Sequence, residues 1–265
     1  MPERPGVAVT RAEEDAAPLV AALEAVGLRA VCTPLLQFAP SSPDPLVGEL
    51  ADALTALRAD GASTEWLVCT SRHAVTALAH SCGALGIAPA SLNFAQVGAV
   101  GRRTAEALEA IGLPVTLVPD VSDAAHLAAA MLSRSGGVPA RVLFPRAREA
   151  REALPTALRD AGWEVNDVTC YETLPSADGA TRLAAALSRG ELGAVTLASG
   201  SAARAFSQCV PAALWGRARL VSIGATTTAD ATACALPIAA QATEPTVAAL
   251  ADATRRILSE SFAHA

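Results

Sequence analysis

Short apolar runs alternate with amphipathic stretches of helical length along this chain, and the alternation repeats itself. Val7 to Val9 lead into Thr10 and Arg11. Leu19 and Leu23 then share one helical face, Gly27 stops the helix, and a second apolar run reaches Leu36. Val142 to Phe144 lead into Arg146, followed by Leu154, Leu158, Gly162 and a run to Tyr171. Arg11 and Arg146, Leu19 and Leu154, Leu23 and Leu158, and Gly27 and Gly162 are each 135 residues apart. Each unit reads as strand, turn, helix, glycine stop and second strand, a βαβ unit whose crossover is expected to be right-handed.

Two further pairs follow in the same order. The run from Trp66 to Ser71 (WLVCTS) matches that from Ala194 to Ser199 (AVTLAS) at an offset of 128. The run from Val100 to Thr104 (VGRRT) matches that from Ile223 to Thr227 (IGATT) at an offset of 123. Three ordered pairs predict an internal duplication. Gln37 to Pro45 and Thr173 to Gly179, each following the second strand of a βαβ unit, read as linkers, and Ser133 to Ala140 reads as a loop. Pro245 to Ser261 reads as a helix with Thr246 near its start as N-cap.

Composition sharpens the class. Among 265 residues, 52% are hydrophobic but only 3% aromatic. The core is therefore built from Ala, Val and Leu, which suits helices packed on a parallel sheet. The net charge of −6 and the absence of a dense Lys/Arg run argue against a nucleic-acid partner. Charged residues interrupt every apolar stretch before the ~20 residues of a membrane span. Met1 to Arg11 contain Pro2 and Pro5 and lack the apolar core of a signal peptide. These features place the chain in the cytoplasm, and no domain is expected after the last helix, since the sequence ends at Ala265. Six cysteines are scattered without a C-x-x-C pair and read as small buried hydrophobes.

Candidate chemistry gathers where strands end in hydroxyl residues and helices begin. Thr10, Thr70 with Ser71, Thr104 after Gly101, Ser199 with Ser201, and Thr226 to Thr228 around Thr227 all occupy such positions. In a parallel sheet they lie at the carboxyl edge, where open α/β sheets take their ligands, and free N–H groups at helix starts favour anions. Ordinary N-capping explains any one of them; as a set they suit a ligand with many carboxylates. Arg11, Arg72, Arg102, Arg103, Arg146, Arg148 and Arg151 lie near the same edges, and Arg11 and Arg146 take equivalent places in the duplicated unit. A guanidinium holds a carboxylate at two points. Tyr171 is the single tyrosine and ends an apolar strand before a linker. It is either a core residue or a proton donor to a leaving hydroxyl. The four histidines, His73, His80, His126 and His264, show no metal-ligand spacing. Gly98 to Gly101 lacks the third glycine of a dinucleotide fingerprint, and neither a P-loop nor a G-x-S-x-G elbow occurs. A reaction on a polyanion without metal or cofactor is the reading left.

Taken together, VTR (Val9 to Arg11), TSRHAV (Thr70 to Val75), AVGRRTAEAL (Ala99 to Leu108), YET (Tyr171 to Thr173), the Ser199 turn and SIGATT (Ser222 to Thr227) resemble the uroporphyrinogen-III synthase family. The resemblance runs through nearly the whole chain, in order. It implies two flavodoxin-like domains facing a cleft and joined by two extended linkers, residues 1–37 with 174–265 and residues 38–173. It implies a monomer without cofactor that closes hydroxymethylbilane, a linear tetrapyrrole with eight carboxylates, into uroporphyrinogen III. Water is lost, and ring D is inverted through a spiro intermediate. It also implies that Tyr171 helps the hydroxyl leave and that Thr10, Arg11, Thr70, Ser71, Gly101, Thr104, Arg146, Ser199, Ser201 and Thr227 bind the substrate. Ala198, where relatives often have Thr, and His73 depart from the family pattern. A non-catalytic bilobal ligand-binding or regulatory module on the same fold is the alternative.

Overall fold

The computed structural model describes residues 6–45, 47–60, 66–92 and 94–263; Pro2, Pro5 and His264 lie outside them. The chain divides into two compact units, Met1–Gln37 with Leu174–Ala265 and Phe38–Thr173.

The first unit holds a sheet of β1 (Gly6–Val9), β2 (Ala30–Cys32), β8 (Leu192–Leu197), β9 (Arg219–Ser222) and β10 (Ile238–Gln241) in the order β10-β9-β8-β1-β2. All four neighbouring pairs are parallel. Side chains along β8 alternate between two layers. Ala194 joins Val7 and Val9 beneath α1 (Glu13–Ala25) and α10 (Val247–Ala263). Val195 joins Ala8 beneath α7 (Ala177–Ser188), α8 (Gly200–Cys209) and α9 (Ala225–Ala233). The helices present apolar residues at helical spacing to these layers: Ala16, Leu19 and Leu23 of α1 are buried, each fully buried leucine contributing about 1.5–3 kcal/mol. Central β1 is buried at all four residues, whereas edge strand β2 is half exposed. Thr246 caps α10 through Ala249 N–H at 3.2 Å, as the sequence predicts.

The second unit holds β3 (Leu36–Pro40), β4 (Trp66–Cys69), β5 (Gln96–Ala99), β6 (Arg141–Ala147) and β7 (Glu164–Pro175) in the order β3-β7-β6-β4-β5. Leu67 and Cys69 face α2 (Glu49–Asp60), α3 (Arg72–Ala84) and α4 (Arg102–Ala110). Trp66 and Val68 face α5 (Ala124–Arg134) and α6 (Ala153–Asp160). The strands paired by the sequence repeat take the same order in both sheets: β9-β8-β1-β2 in one, β5-β4-β6-β7 in the other. Where β10 flanks β9, a parallel bridge from Gly98 to Leu117 flanks β5. Gly27 and Gly162 both follow helices at positive φ, 78° and 82°, which a side chain would strain.

The segments read as linkers are more regular than expected. Leu36 to Pro40 form β3, and β7 runs unbroken through Thr173 to Pro175. Ser176 then caps α7 through Gly179 N–H at 3.2 Å, so Ala177 to Gly179 are helical. The run ending at Leu36 is also not one strand. It breaks at Thr33 to Leu35, between β2 and β3, because Pro34 offers no N–H to a ladder.

Candidate functional site

In each unit the hydroxyl-rich turns stand at the carboxyl edge of the sheet, where strands give way to helices. Ser71 caps α3, accepting from His73 N–H at 3.1 Å. Its counterpart Ser199 caps α8, accepting from Ala202 N–H at 3.2 Å, and lies 2.9 Å from the Ser201 hydroxyl. Both hydroxyls thus act first as caps. Helices α4 and α9 differ: each is capped by glycine, Gly101 and Gly224, with no side-chain cap hydrogen bond over the first turn. Thr104 and Thr227 sit at the third helical position of each and are buried. The first N–H groups of these two helices are left open to an anion.

The α8 start is more crowded. A methyl group on Gly200 would fall 1.6 Å from Asp230 Oδ2, and Asp230 pairs with Arg204 at 3.2 Å. A carboxylate of the protein therefore already lies against this turn. Nothing in the sequence pairs Asp230 with Gly200; only the packing of α9 on α8 does.

Two of the expected binding side chains are engaged inside the fold. Thr10 is fully buried, and its hydroxyl donates to Thr196 O at 2.7 Å while Thr196 Oγ1 donates to Ala8 O at 2.7 Å. These bonds tie β1 to β8. Arg146 is also buried. It donates to Asp167 Oδ2 and Ala150 O, each at 2.8 Å, and to Glu152 Oε1. A guanidinium with two carboxylate partners has little left for a ligand carboxylate. Arg11, its counterpart in the repeat, has a buried Nε with no hydrogen-bond partner. The equivalence read from the sequence holds for the strands that lead to the two arginines and fails at the arginines themselves: Arg146 is still within β6, whereas Arg11 stands in a bend past the end of β1. Thr70 lies at the end of β4, half buried.

Tyr171 is 9% exposed and packs into the core of the second unit; it lies inside β7, opposite Ala147 at the end of β6, and not at the end of its own strand as the sequence suggests. Its strand changes register just before it: Arg146 pairs with Thr169, but Ala147 pairs with Tyr171, leaving Cys170 as the bulged residue. Bulges bend a strand and re-aim the next side chain. The bulge is braced by contacts far apart in sequence. Glu49 Oε2 accepts from Thr169 N–H at 2.6 Å, Ser41 Oγ donates to Thr169 O at 2.9 Å, and Ser41 N–H donates to Cys170 O at 3.1 Å. Past it, Arg148 N–H donates to Tyr171 O at 2.9 Å. The Tyr171 ring meets Phe38 edge-on, with centroids 5.9 Å apart, and His73 at 5.8 Å. Glu49, Ser41 and Phe38 escaped the sequence reading because no local pattern marks a residue that works across 120 positions.

All six cysteines are free thiols. Burial pushes Cys170 up to about 12 and Cys82 up to about 11, so both stay protonated and inert near neutrality. Among the described residues no three His, Cys, Asp or Glu side chains converge on a metal position, and no helix is long and apolar enough to cross a membrane.

Comparison with known proteins bears on these features. The family model described as uroporphyrinogen-III synthase HemD matches residues 17–252. A porphyrin biosynthesis protein HemD of Ruminiclostridium josui is 26% identical over 76% of this chain, which spans only 38% of that longer protein. A uroporphyrinogen-III synthase of Chlorobaculum parvum is 28% identical over 83% of this chain and 86% of its own length. Among solved structures, a mutant uroporphyrinogen III synthase of Thermus thermophilus shares the fold, with a TM-score of 0.57 at 20% identity over 96% of this chain and 98% of that one.

Proposed function

Because the chain belongs to the uroporphyrinogen-III synthase family, we propose that it cyclises hydroxymethylbilane to uroporphyrinogen III, losing water and inverting ring D. The match over residues 17–252 carries this reading. The equal order of repeat-related strands supports an origin of the two units by duplication, with β3 and β7 as the extended segments that take the chain from one to the other.

The residues divide the work as follows. The glycine-capped starts of α4 and α9 offer main-chain N–H groups to substrate carboxylates, and Thr104 and Thr227 pack beneath them. Ser71 and Ser199 shape two further turns, Ser201 adds a hydroxyl beside the latter, and Arg11 contributes a guanidinium with an unmatched donor. Tyr171 donates a proton to the departing hydroxyl. The resulting azafulvene is stabilised by its own pyrrole, so the main contribution of the protein is orientation of ring D.

The test is incubation with enzymatically generated hydroxymethylbilane, oxidation, and separation of the porphyrin isomers. The inverted isomer in excess of a protein-free control supports the reading. The uninverted isomer alone sinks it in favour of a non-catalytic module. Tyr171→Phe keeps the ring and removes the donor. Its rate is expected to fall ~10²-fold, the low end for general-acid help, while the product stays mainly inverted and thermal stability changes by about 1 kcal/mol or less. A full-speed variant removes Tyr171 from the mechanism.

A further inference from the structure

We propose that His73 is a positioning residue that, together with Phe38, fixes the ring of Tyr171 at the carboxyl edge of the second unit. The proposal rests on the reading that Tyr171 assists the departing hydroxyl.

Three rings from three different elements meet here. Phe38 comes from β3, His73 from the first turn of α3 and Tyr171 from β7. The Phe38 and His73 rings are stacked, with centroids 3.5 Å apart and planes 27° from parallel. Tyr171 approaches this stack from its side, with its plane at 73° to Phe38 and at 52° to His73. Offset stacks and edge-on contacts are the favoured geometries of aromatic pairs. The backbone that carries the imidazole is itself anchored, because the main-chain N–H of His73 donates to Ser71 Oγ in the α3 cap. Phe38 is held by pairing of β3 beside β7. The strand under Tyr171 is bulged at Cys170 and braced by Glu49 and Ser41. Main-chain bracing sets where the Tyr171 Cα lies; it leaves ring rotation about the side-chain bonds to the neighbours. Among those neighbours are the two rings of the Phe38–His73 stack. The TSRH turn thus has two uses: its cap presents helix N–H groups, and its imidazole orders the phenol ring.

A positioning role has a consequence that simple packing lacks. The hydroxyl needs to lie within hydrogen-bond reach of the leaving oxygen, and a misplacement of the order of 1 Å costs up to ~10²-fold in rate. Loss of the stack therefore lowers kcat with little effect on KM, since Tyr171 acts on the departing group and the carboxylates are held elsewhere.

The experiment uses the fact that the chain contains one tyrosine. Protein made with ring-labelled ¹³C-tyrosine reports Tyr171 alone by NMR, without substrate. The ring-flip rate is expected to rise at least ~10-fold in His73→Ala and to return close to the wild-type value in His73→Phe, which restores a stacked ring. In parallel, His73→Ala is expected to lower kcat about 10-fold with KM changed less than about 2-fold, and His73→Phe to recover most of the loss. In the Tyr171→Phe background His73→Ala is expected to cost nothing more, because the hydroxyl it positions is gone. Thermal unfolding is recorded for each; His73→Asn, which is polar but cannot stack, replaces His73→Ala if the latter does not fold. An unchanged ring-flip rate in the ring-less variant overturns the proposal whatever the kinetics. An equal loss of kcat with and without the Tyr171 hydroxyl also overturns it. A Tyr171→Phe enzyme at full speed instead refutes the role of Tyr171 in catalysis, and the ring-flip comparison still decides whether His73 holds the ring.

Discussion

Identical residue types at repeat-related positions do different work here. Arg146 lies between Asp167 and Glu152, while Arg11 keeps a buried donor unmatched. The difference comes from neighbours that the repeat does not share. Glycines show the same dependence. The three atoms nearest to a methyl group on Gly200 all belong to the Asp230 side chain, whose carboxylate end can swing away. A methyl group on Gly179 would fall 1.7 Å from the Pro34 carbonyl oxygen, which cannot move without its backbone. Gly200→Ala gives up the half-exposed Arg204–Asp230 pair but gains helix propensity, so its stability is expected to stay within about 1 kcal/mol of wild type. Gly179→Ala is expected to cost about 2–3 kcal/mol or more, as overpacking against main chain does. Urea unfolding of the two variants side by side checks the ordering; equal losses would refute the argument from what each methyl group meets.

At the scale of elements, β6 and β7 carry an ion network that secures the base of the bulged strand. Asp167 of β7 pairs with Arg146 Nη1 of β6 at 2.8 Å and with Arg159 of α6. Partial burial alone would raise the Asp167 carboxyl, but the hydrogen bonds and charges of Arg159 and Arg146 outweigh it and hold it below the usual carboxylate range. A depressed folded-state pKa gives stability that is fully present above the unfolded value of ~3.9 and is lost as pH falls through the folded value. Asp167→Asn leaves the buried Arg146 with one carboxylate and is expected to cost about 2–3 kcal/mol at pH 7. That deficit is expected to shrink as pH drops below ~3.9, where Asp167 of the unfolded wild-type chain takes up a proton that the folded chain still excludes. Urea midpoints of both proteins at pH 7 and at pH 3 check the sign; a deficit that grows in acid would refute it.

At the scale of the whole molecule, each unit owns both of its apolar layers. The residues beneath α2, α3 and α4 and those beneath α5 and α6 all fall within positions 38–173. A fragment of residues 36–175, which keeps β3 and β7 whole, is therefore expected to fold alone with cooperative urea unfolding and a helix-rich circular dichroism spectrum. A fragment without a cooperative transition would show that its core is incomplete. Much of this architecture was legible in the sequence. The 135-residue offset from Arg11 to Arg146, the leucine spacing of α1 and α6, and the glycine stops at Gly27 and Gly162 are local, and local periodicity decides helices, strands and their turns. So were the hydroxyl turns after the strands, because a strand that ends where a helix begins needs a cap. The sequence did not show that each linker begins within a strand, since β3 and β7 take their regularity from pairing partners in the sheet. Nor did it show that Thr10 and Arg146 are occupied by Thr196, Asp167 and Glu152, or that Phe38 and His73 close on Tyr171. Hydrogen-bond partners and ring contacts are settled by which distant segments packing brings together, and no pattern along the chain encodes that distance.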